Sequence, residues 1–483
     1  MARIDPKQQR PTSTEALRQT AQAGDRGQTV AHDGPTVQPD AFSGDGHAVP
    51  LPGPVPADVA TTSPLGARLT ALRGMPRLPV RASARLDEVN RLLAAPTERT
   101  EEARLLALFT QTTPAELNHL VAEVDLDRLL EAMDDRWFGP DNHKAILRLL
   151  TQTRVADLTT LNRARLVNAL QSGPTPHQAE HAIENLFRAT RGAELTVLKN
   201  AVDAGDDHHD LVQLLHADID SYFIRHHIID HITGDTSVPS TGRCKVLSDI
   251  DDTFYVNLKD ESFPKKTVYT GVRAFYRELA AVPAEHAEYE PVVNFLTARP
   301  TDRAGLLEDK TLEDLRDHGI NRATVLAGDI FHVVGNEELA EKKRENFDKF
   351  SQVYPEYRFV FIGDSGQGDA MLAENLEATV RERVPATFIH NVTGMSAAER
   401  ARYADHGVTV FDSYAGAALA AHKAGLLDLP ALARVATASV ADFDAIDFSD
   451  PDQRLARRSE LVHDLGEINA LLPAAERVRL PRD

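Results

Sequence analysis

The stretch "SDIDDT" (residues 248–253) sets Asp249, Asp251, Asp252 and Thr253 directly behind the apolar run "CKVL". Like charges repel and buried carboxylates are costly, so such a cluster at a strand end calls for a compensating cation. Three more polar groups succeed it along the chain: "LTARP" (Thr297, Arg299), "EKKRENF" (Lys342, Lys343) and "GDSGQGD" (Asp364, Asp369). A lone DxDxT arises by chance; the four groups in this order are specific.

Together they meet the needs of moving a phosphoryl group from an ester to water. A carboxylate at Asp249 can attack phosphorus and divide one hard displacement into two easier ones. Asp251 is expected to protonate the leaving oxygen and later to deprotonate water. Attack of an anion on an anion requires neutralisation, expected from Mg²⁺ held by Asp249, the Asp251 carbonyl and Asp364. Asp369 is expected to support the metal or its waters. Lys343 is expected to pair with the nucleophile and a phosphoryl oxygen, and the Thr297 hydroxyl to bond another. Arg299 and Arg303 are candidates for gripping a substrate phosphate; salt bridging to surface carboxylates suits them equally.

Plainer roles fit the neighbours. Asp252 and Thr253 are expected to be purely structural, as in Asp-rich turns that cap helices, Lys342 to be solvated, and Cys244 to be a small thiol inside a strand. His227 and His231 stand four apart, as two metal ligands on one helix face would, but no third ligand comes at an obvious spacing. Polar surface is the expectation there.

The elements that must carry these groups are legible as alternation. "CKVLS", "PVVNFL", "ATVLA", "RFVFIG", "ATFIH" and "VTVF" have strand character, and amphipathic helical runs separate them. That order predicts an α/β, doubly wound parallel-sheet domain over residues 241–447 with its ligands at the carboxyl edge of the strands. Residues 448–483 are expected to form a helical tail.

Residues 65–235 have helix period instead, as an all-α region. "LLALFTQTTPAEL", "ILRLLTQTRVADL" and "IENLFRATRGAEL" start at Leu105, Ile146 and Ile183, 41 and 37 residues apart. Thr112, Thr153 and Thr190 then precede second helices carrying Leu117/Leu120, Leu158/Leu161 and Leu195/Leu198. This predicts stacked helical repeats serving as scaffold or as a surface for an unknown protein partner. Residues 1–64, rich in Pro, Gly, Asp and Ala, are expected to be a disordered leader or linker.

The formal charge of −20 argues against a dedicated nucleic-acid or anionic-membrane binder, without excluding a local basic patch. A single cysteine rules out a disulfide framework and fits a reducing compartment. With neither a membrane-length apolar run nor a secretory signal, a cytoplasmic protein is expected, signal-peptide-independent export aside.

The segments "DIDDT", "FLTARP", "KKRENFDKFSQVYPEYRFVFIGDSGQGD" and "YAGAALAAHKAGLL" resemble the haloacid dehalogenase superfamily, and within it the actin-patch-type phosphatidate phosphatase catalytic domain, related to the lipins. The resemblance covers roughly residues 245–446. It implies a Rossmann-like fold, a Mg²⁺ cofactor and phosphate-monoester hydrolysis, with Asp249/Asp251, Thr297, Lys343 and Asp364/Asp369 as the motif residues. Many members carry an "SNSP"-like second motif where this chain has "TARP", which bears on the substrate rather than on the chemistry.

The short intervals 254–294 and 300–341 leave little or no room for a cap domain, and an open crevice suits a head group presented at a membrane. Lys265 and Lys266, with Arg299 and Arg303, are expected to attract anionic lipid locally. Phosphatidic acid or a related phosphomonoester is the expected substrate. The rival expectations are a module that binds lipid phosphate without hydrolysing it, and an exported effector that carries this phosphatase.

Overall fold

The computed structural model describes residues 80–133, 141–171, 175–203, 210–235, 244–281, 292–300, 306–320, 323–328 and 335–482. The expected leader, 1–64, lies outside them.

Six short apolar segments form the sheet: β1 (Cys244–Ser248), β2 (Val293–Pro300), β3 (Ala323–Gly328), β4 (Arg358–Asp364), β5 (Ala386–His390) and β6 (Val408–Phe411). Every pairing is parallel and the order is β3-β2-β1-β4-β5-β6. The doubly wound fold is therefore present. Both faces are covered, because successive side chains of one strand enter opposite cores. Leu247, Phe359 and Phe361 join one core, whereas Val246, Val360 and Ile362 join the other.

On the first face lie helices Asn336–Val353, through Phe347 and Phe350, and Asp369–Val380, through Leu372 and Leu376. On the second lie Val272–Leu279, Tyr414–Lys423, Leu429–Ala445 and Pro451–Leu471. The last of these buries Leu461, Leu465 and Ile468 against the sheet's core, so the expected C-terminal tail is built into the fold. Between β2 and β3 the described chain holds the single helix Leu306–Asp317. Among the described residues no separate cap stands over the sheet.

Helices fill the described part of residues 80–235. Hydrogen bonds between positions about forty residues apart tie successive helices together: Asn142 to Glu102 (2.9 Å), Asn162 to the Asn118 carbonyl (2.8 Å) and the Ser221 amide to Glu180 (3.0 Å). One expected register fails. At Leu149–Thr153 the helix widens to i→i+5 bonding, which shifts the phase of the residues beyond it. Thr153 faces solvent, unlike the buried Thr112 and Thr190; Leu158 is buried ahead of the next helix, Thr160–Gln171, in whose first turn Leu161 is 43 % exposed.

The helical region is not a detached appendage. Its core is continuous with the first face of the sheet, and a buried polar network seals the junction. Lys199 Nζ donates to the Val353 carbonyl and to Glu356, both at 2.9 Å, and Thr196 donates to Glu356 at 2.8 Å. The Tyr354 hydroxyl donates to Asp203, and the Lys245 ammonium stands 3.8 Å from the Tyr354 ring centre. Burial draws the Lys245 amine down to about 8, with Asp203 and Glu356 opposing that drift. The network grips the end of helix Asn336–Val353 and the turn into β4, which are the two elements that carry Lys343 and Asp364.

Candidate active site

The strand order reverses between β1 and β4, and at that point the first turns leave the sheet in opposite directions to open a crevice at the carboxyl edge. Asp249 is the first residue beyond β1, its amide bonded to the Ile362 carbonyl of β4 at 2.9 Å. Asp364 ends β4. Asp369 opens the next helix behind Gly368, whose φ of 85° is a conformation that favours glycine. A side-chain carbon at Gly368 would collide with the Asn336 carbonyl, so this glycine lets the Asp369 loop close onto the start of the Lys343 helix.

Lys343, only 1 % exposed, reaches from that helix to Asp249 Oδ1 at 2.7 Å and to Asp369 Oδ1 at 2.5 Å. Asp369 Oδ2 accepts the Asp364 amide at 3.2 Å. Ligand atoms of Asp249, Asp364 and Asp369 lie within 4.8 Å of one another, and all three residues are buried. Asp249 Oδ2 is buried with no hydrogen-bond partner.

Three carboxylates against one ammonium leave the pocket electrostatically unbalanced. Burial pushes the Asp249 carboxyl up to about 7; Asp369 and Asp251 push the same way and Lys343 opposes them. Burial and the charges of Asp369 and Asp249 likewise hold Asp364 well above the usual carboxylate range. Burial works against the Lys343 charge, but Asp249 and Asp369 outweigh it and keep the amine protonated. Hard oxygen donors, excess negative charge and an orphaned buried oxygen fit a hard divalent cation.

Asp251 comes next, on the outgoing loop. Its Oδ1 accepts from Asn257 Nδ2 at 2.6 Å, and its carbonyl accepts from Gln367 Nε2 at 3.2 Å. The same Gln367 amide donates to Asp364 Oδ2 at 3.2 Å, bridging the two sides of the crevice. The Asp252 carboxylate accepts the amides of Asn257, Leu258 and Lys259, a structural role in a turn rather than at a helix start.

Thr297 is buried in β2, two residues past the Ser248–Phe295 pairing, which brings it to the same carboxyl edge. The β2–β3 register shifts between Leu296 and Pro300, the stretch that holds Thr297, and pairing resumes at Pro300 with Gly328. The Arg299 side chain and Arg303 lie outside the described residues. Lys342 pairs with Glu345 on the surface at 2.7 Å. Half-buried Cys244 is at the opposite end of β1 from the crevice.

His227 and His231 do not converge. The first bonds Glu184 at 3.0 Å and the second the Thr190 carbonyl at 2.9 Å.

Sequence reasoning missed Asn257 and Gln367. Gln367 sits inside "GDSGQGD", where its signal was position between two aspartates. Asn257 had no signal, because only the folded turn returns it to Asp251.

Residues 244–391 match the family model of the phosphatidate phosphatase APP1 catalytic domain. The matched segment runs from β1 to just past β5 and contains Asp249, Asp251, Thr297, Lys343, Asp364 and Asp369, in agreement with the motif resemblance. The helical region and the last helices fall outside it. Searches of curated proteins and of solved structures found no match.

Proposed function

We propose that this protein is a Mg²⁺-dependent phosphatase that hydrolyses phosphatidic acid or a closely related phospholipid monoester through an aspartyl-phosphate at Asp249. The observation that carries this reading is the buried group Asp249–Asp364–Asp369 with Lys343 at the point of strand reversal. The family match adds the substrate class.

In the first half-reaction an Asp249 carboxylate oxygen bonds to phosphorus and the ester P–O bond breaks. The departing alkoxide takes a proton from Asp251, held at the crevice mouth by Asn257. In the second half-reaction water attacks the acyl phosphate, its proton passes to Asp251, and inorganic phosphate leaves with Asp249 regenerated. Lys343 fixes the Asp249 carboxylate through Oδ1, and the Thr297 hydroxyl at the strand edge is assigned to a phosphoryl oxygen. Asp249, Asp364 and the Asp251 carbonyl would hold the cation, steadied by Asp369. Bound Mg²⁺ supplies the charge neutralisation that lets an anionic nucleophile approach an anionic phosphate.

Phosphate release from phosphatidic acid and from a soluble aryl phosphate tests the proposal. Release is expected with Mg²⁺, not with chelator, and not by the Asp249→Asn variant. A wild-type protein inert toward both substrates in Mg²⁺ refutes it.

A further inference from the structure

We propose that the turn Asn257–Lys266, at the rim of the crevice, docks on the face of an anionic phospholipid bilayer with Leu258 as its apolar contact. The inference rests on the lipid-phosphatase reading and gives the site its means of reaching a substrate that stays in a membrane.

Leu258 is 56 % exposed, yet the backbone under it is held firmly. Asp252, wholly buried, accepts the amides of Asn257 at 2.8 Å, Leu258 at 3.0 Å and Lys259 at 2.5 Å. Asp260, 1 % exposed, accepts the Ser262 amide at 2.7 Å and the Tyr269 hydroxyl at 2.6 Å. Lys265 Nζ donates to the Asp260 carbonyl at 2.9 Å. Asp252 and Lys266 are the two non-glycine residues with positive φ among the described residues, at 60° and 65°. Such conformations cost free energy and persist where the surroundings impose them. Two buried carboxylates and two strained residues thus hold in place a leucine side chain that adds nothing to either core.

Charge complementarity names the occupant. Lys259, Lys265 and Lys266 are exposed in the same turn as Leu258, where Glu261 is the one exposed carboxylate; Lys265 Nζ lies 3.4 Å from the Leu258 carbonyl, and Lys266 Nζ 4.6 Å from the Tyr255 ring centre. This is a cationic spot on a chain whose formal charge is −20. An exposed leucine in a lysine-rich turn matches a bilayer surface, where the apolar group enters the acyl boundary and the ammoniums stay among anionic head groups.

The spot also borders the chemistry. Lys259 Nζ donates to the Gly366 carbonyl in the loop between Asp364 and Asp369, and Asn257 joins the same turn to Asp251. A bilayer touching Leu258 therefore meets the crevice mouth at head-group level.

The test floats the full chain with phosphatidylcholine vesicles containing phosphatidic acid, in an Asp249→Asn background so that the lipid is not consumed. Floated protein is expected, less of it as salt rises, and little with pure phosphatidylcholine. Adding Leu258→Ser is expected to weaken partitioning by about tenfold, the order expected for withdrawing a leucine side chain from a partly apolar site. Leu258→Trp is expected to keep binding and to show a blue-shifted emission with the acidic vesicles alone. With Asp249 intact, Leu258→Ser should slow turnover of vesicle-borne substrate while an aryl phosphate is cleaved at the wild-type rate. Unchanged flotation of Leu258→Ser, no Leu258→Trp spectral shift, or no flotation with acidic vesicles overturns the docking inference. Failure of the wild type to cleave the aryl phosphate strikes the phosphatase reading instead and leaves the flotation result to stand by itself.

Discussion

Replacing Asp249 with asparagine is predicted to end turnover and also to stabilise the cation-free protein. The Asp249 carboxyl moves from an ordinary 3.8 to about 7, chiefly through burial. A shift of about 3 units corresponds to a ceiling of roughly 4 kcal/mol against the ionised native form above pH 7. The Lys343 contact already offsets part of the burial cost within that shift, and Lys343 keeps Asp369 as a partner. Asparagine removes the remaining penalty, so the expected gain in chelator at a pH of about 8 lies below that ceiling, on the order of 2 kcal/mol, read from urea unfolding.

The pH dependence supplies the sign. A carboxyl whose native value is raised contributes stability below its unfolded value and loses that contribution as the pH rises through the native one. The wild type should thus lose ground to the variant between about pH 4 and about pH 7. Saturating Mg²⁺ should reverse the ranking, since a ligand at a hundred times its Kd adds about 2.7 kcal/mol to the state that binds it. A variant less stable than wild type in chelator above pH 7, or two parallel stability-versus-pH curves, would refute the electrostatic reasoning.

Three further outcomes are expected. Lys199→Ala removes the buried ammonium that balances the Glu356 charge at the junction and should cost about 3–5 kcal/mol in urea unfolding; Lys199→Met with Glu356→Leu should recover much of the loss. His216, which burial and the nearby Lys349 and Arg225 depress to about 4, favours the neutral ring in the native state. Its contribution is complete above about 6.5 and fades as the pH falls toward about 4, so His216→Leu should lessen acid sensitivity over that range, by on the order of 1 kcal/mol once solvent screening of the partly exposed ring is allowed for. Gly368→Ala combines a φ of 85° with a collision at the Asn336 carbonyl and should weaken Mg²⁺ affinity in calorimetry by prising the Asp369 loop from the Lys343 helix, with a stability loss of about 1–3 kcal/mol.

Several of these contacts had no trace in the chain's local pattern. The strands were readable because a mostly apolar run of four or five residues bounded by turn formers is a local property: "CKVLS", "ATFIH" and "VTVF" coincide with β1, β5 and β6. Helix phase was less secure. A widened turn at Leu149–Thr153 leaves Thr153 exposed, and no local preference announced it.

Local pattern already selects which groups face the crevice, because parallel strands deliver their terminal residues to one edge. Asp249, Thr297 and Asp364 thus share an edge by virtue of standing at strand ends. How they meet is set by packing between distant parts of the chain. The Lys343 contacts with Asp249 and Asp369 depend on helix Asn336–Val353 being clasped between the sheet and the all-α region. The hold of Asn257 on Asp251 depends on a turn clamped by Asp252. These contacts are set by burial and by hydrogen bonds between positions far apart in the chain, a free-energy balance that no short stretch of sequence contains.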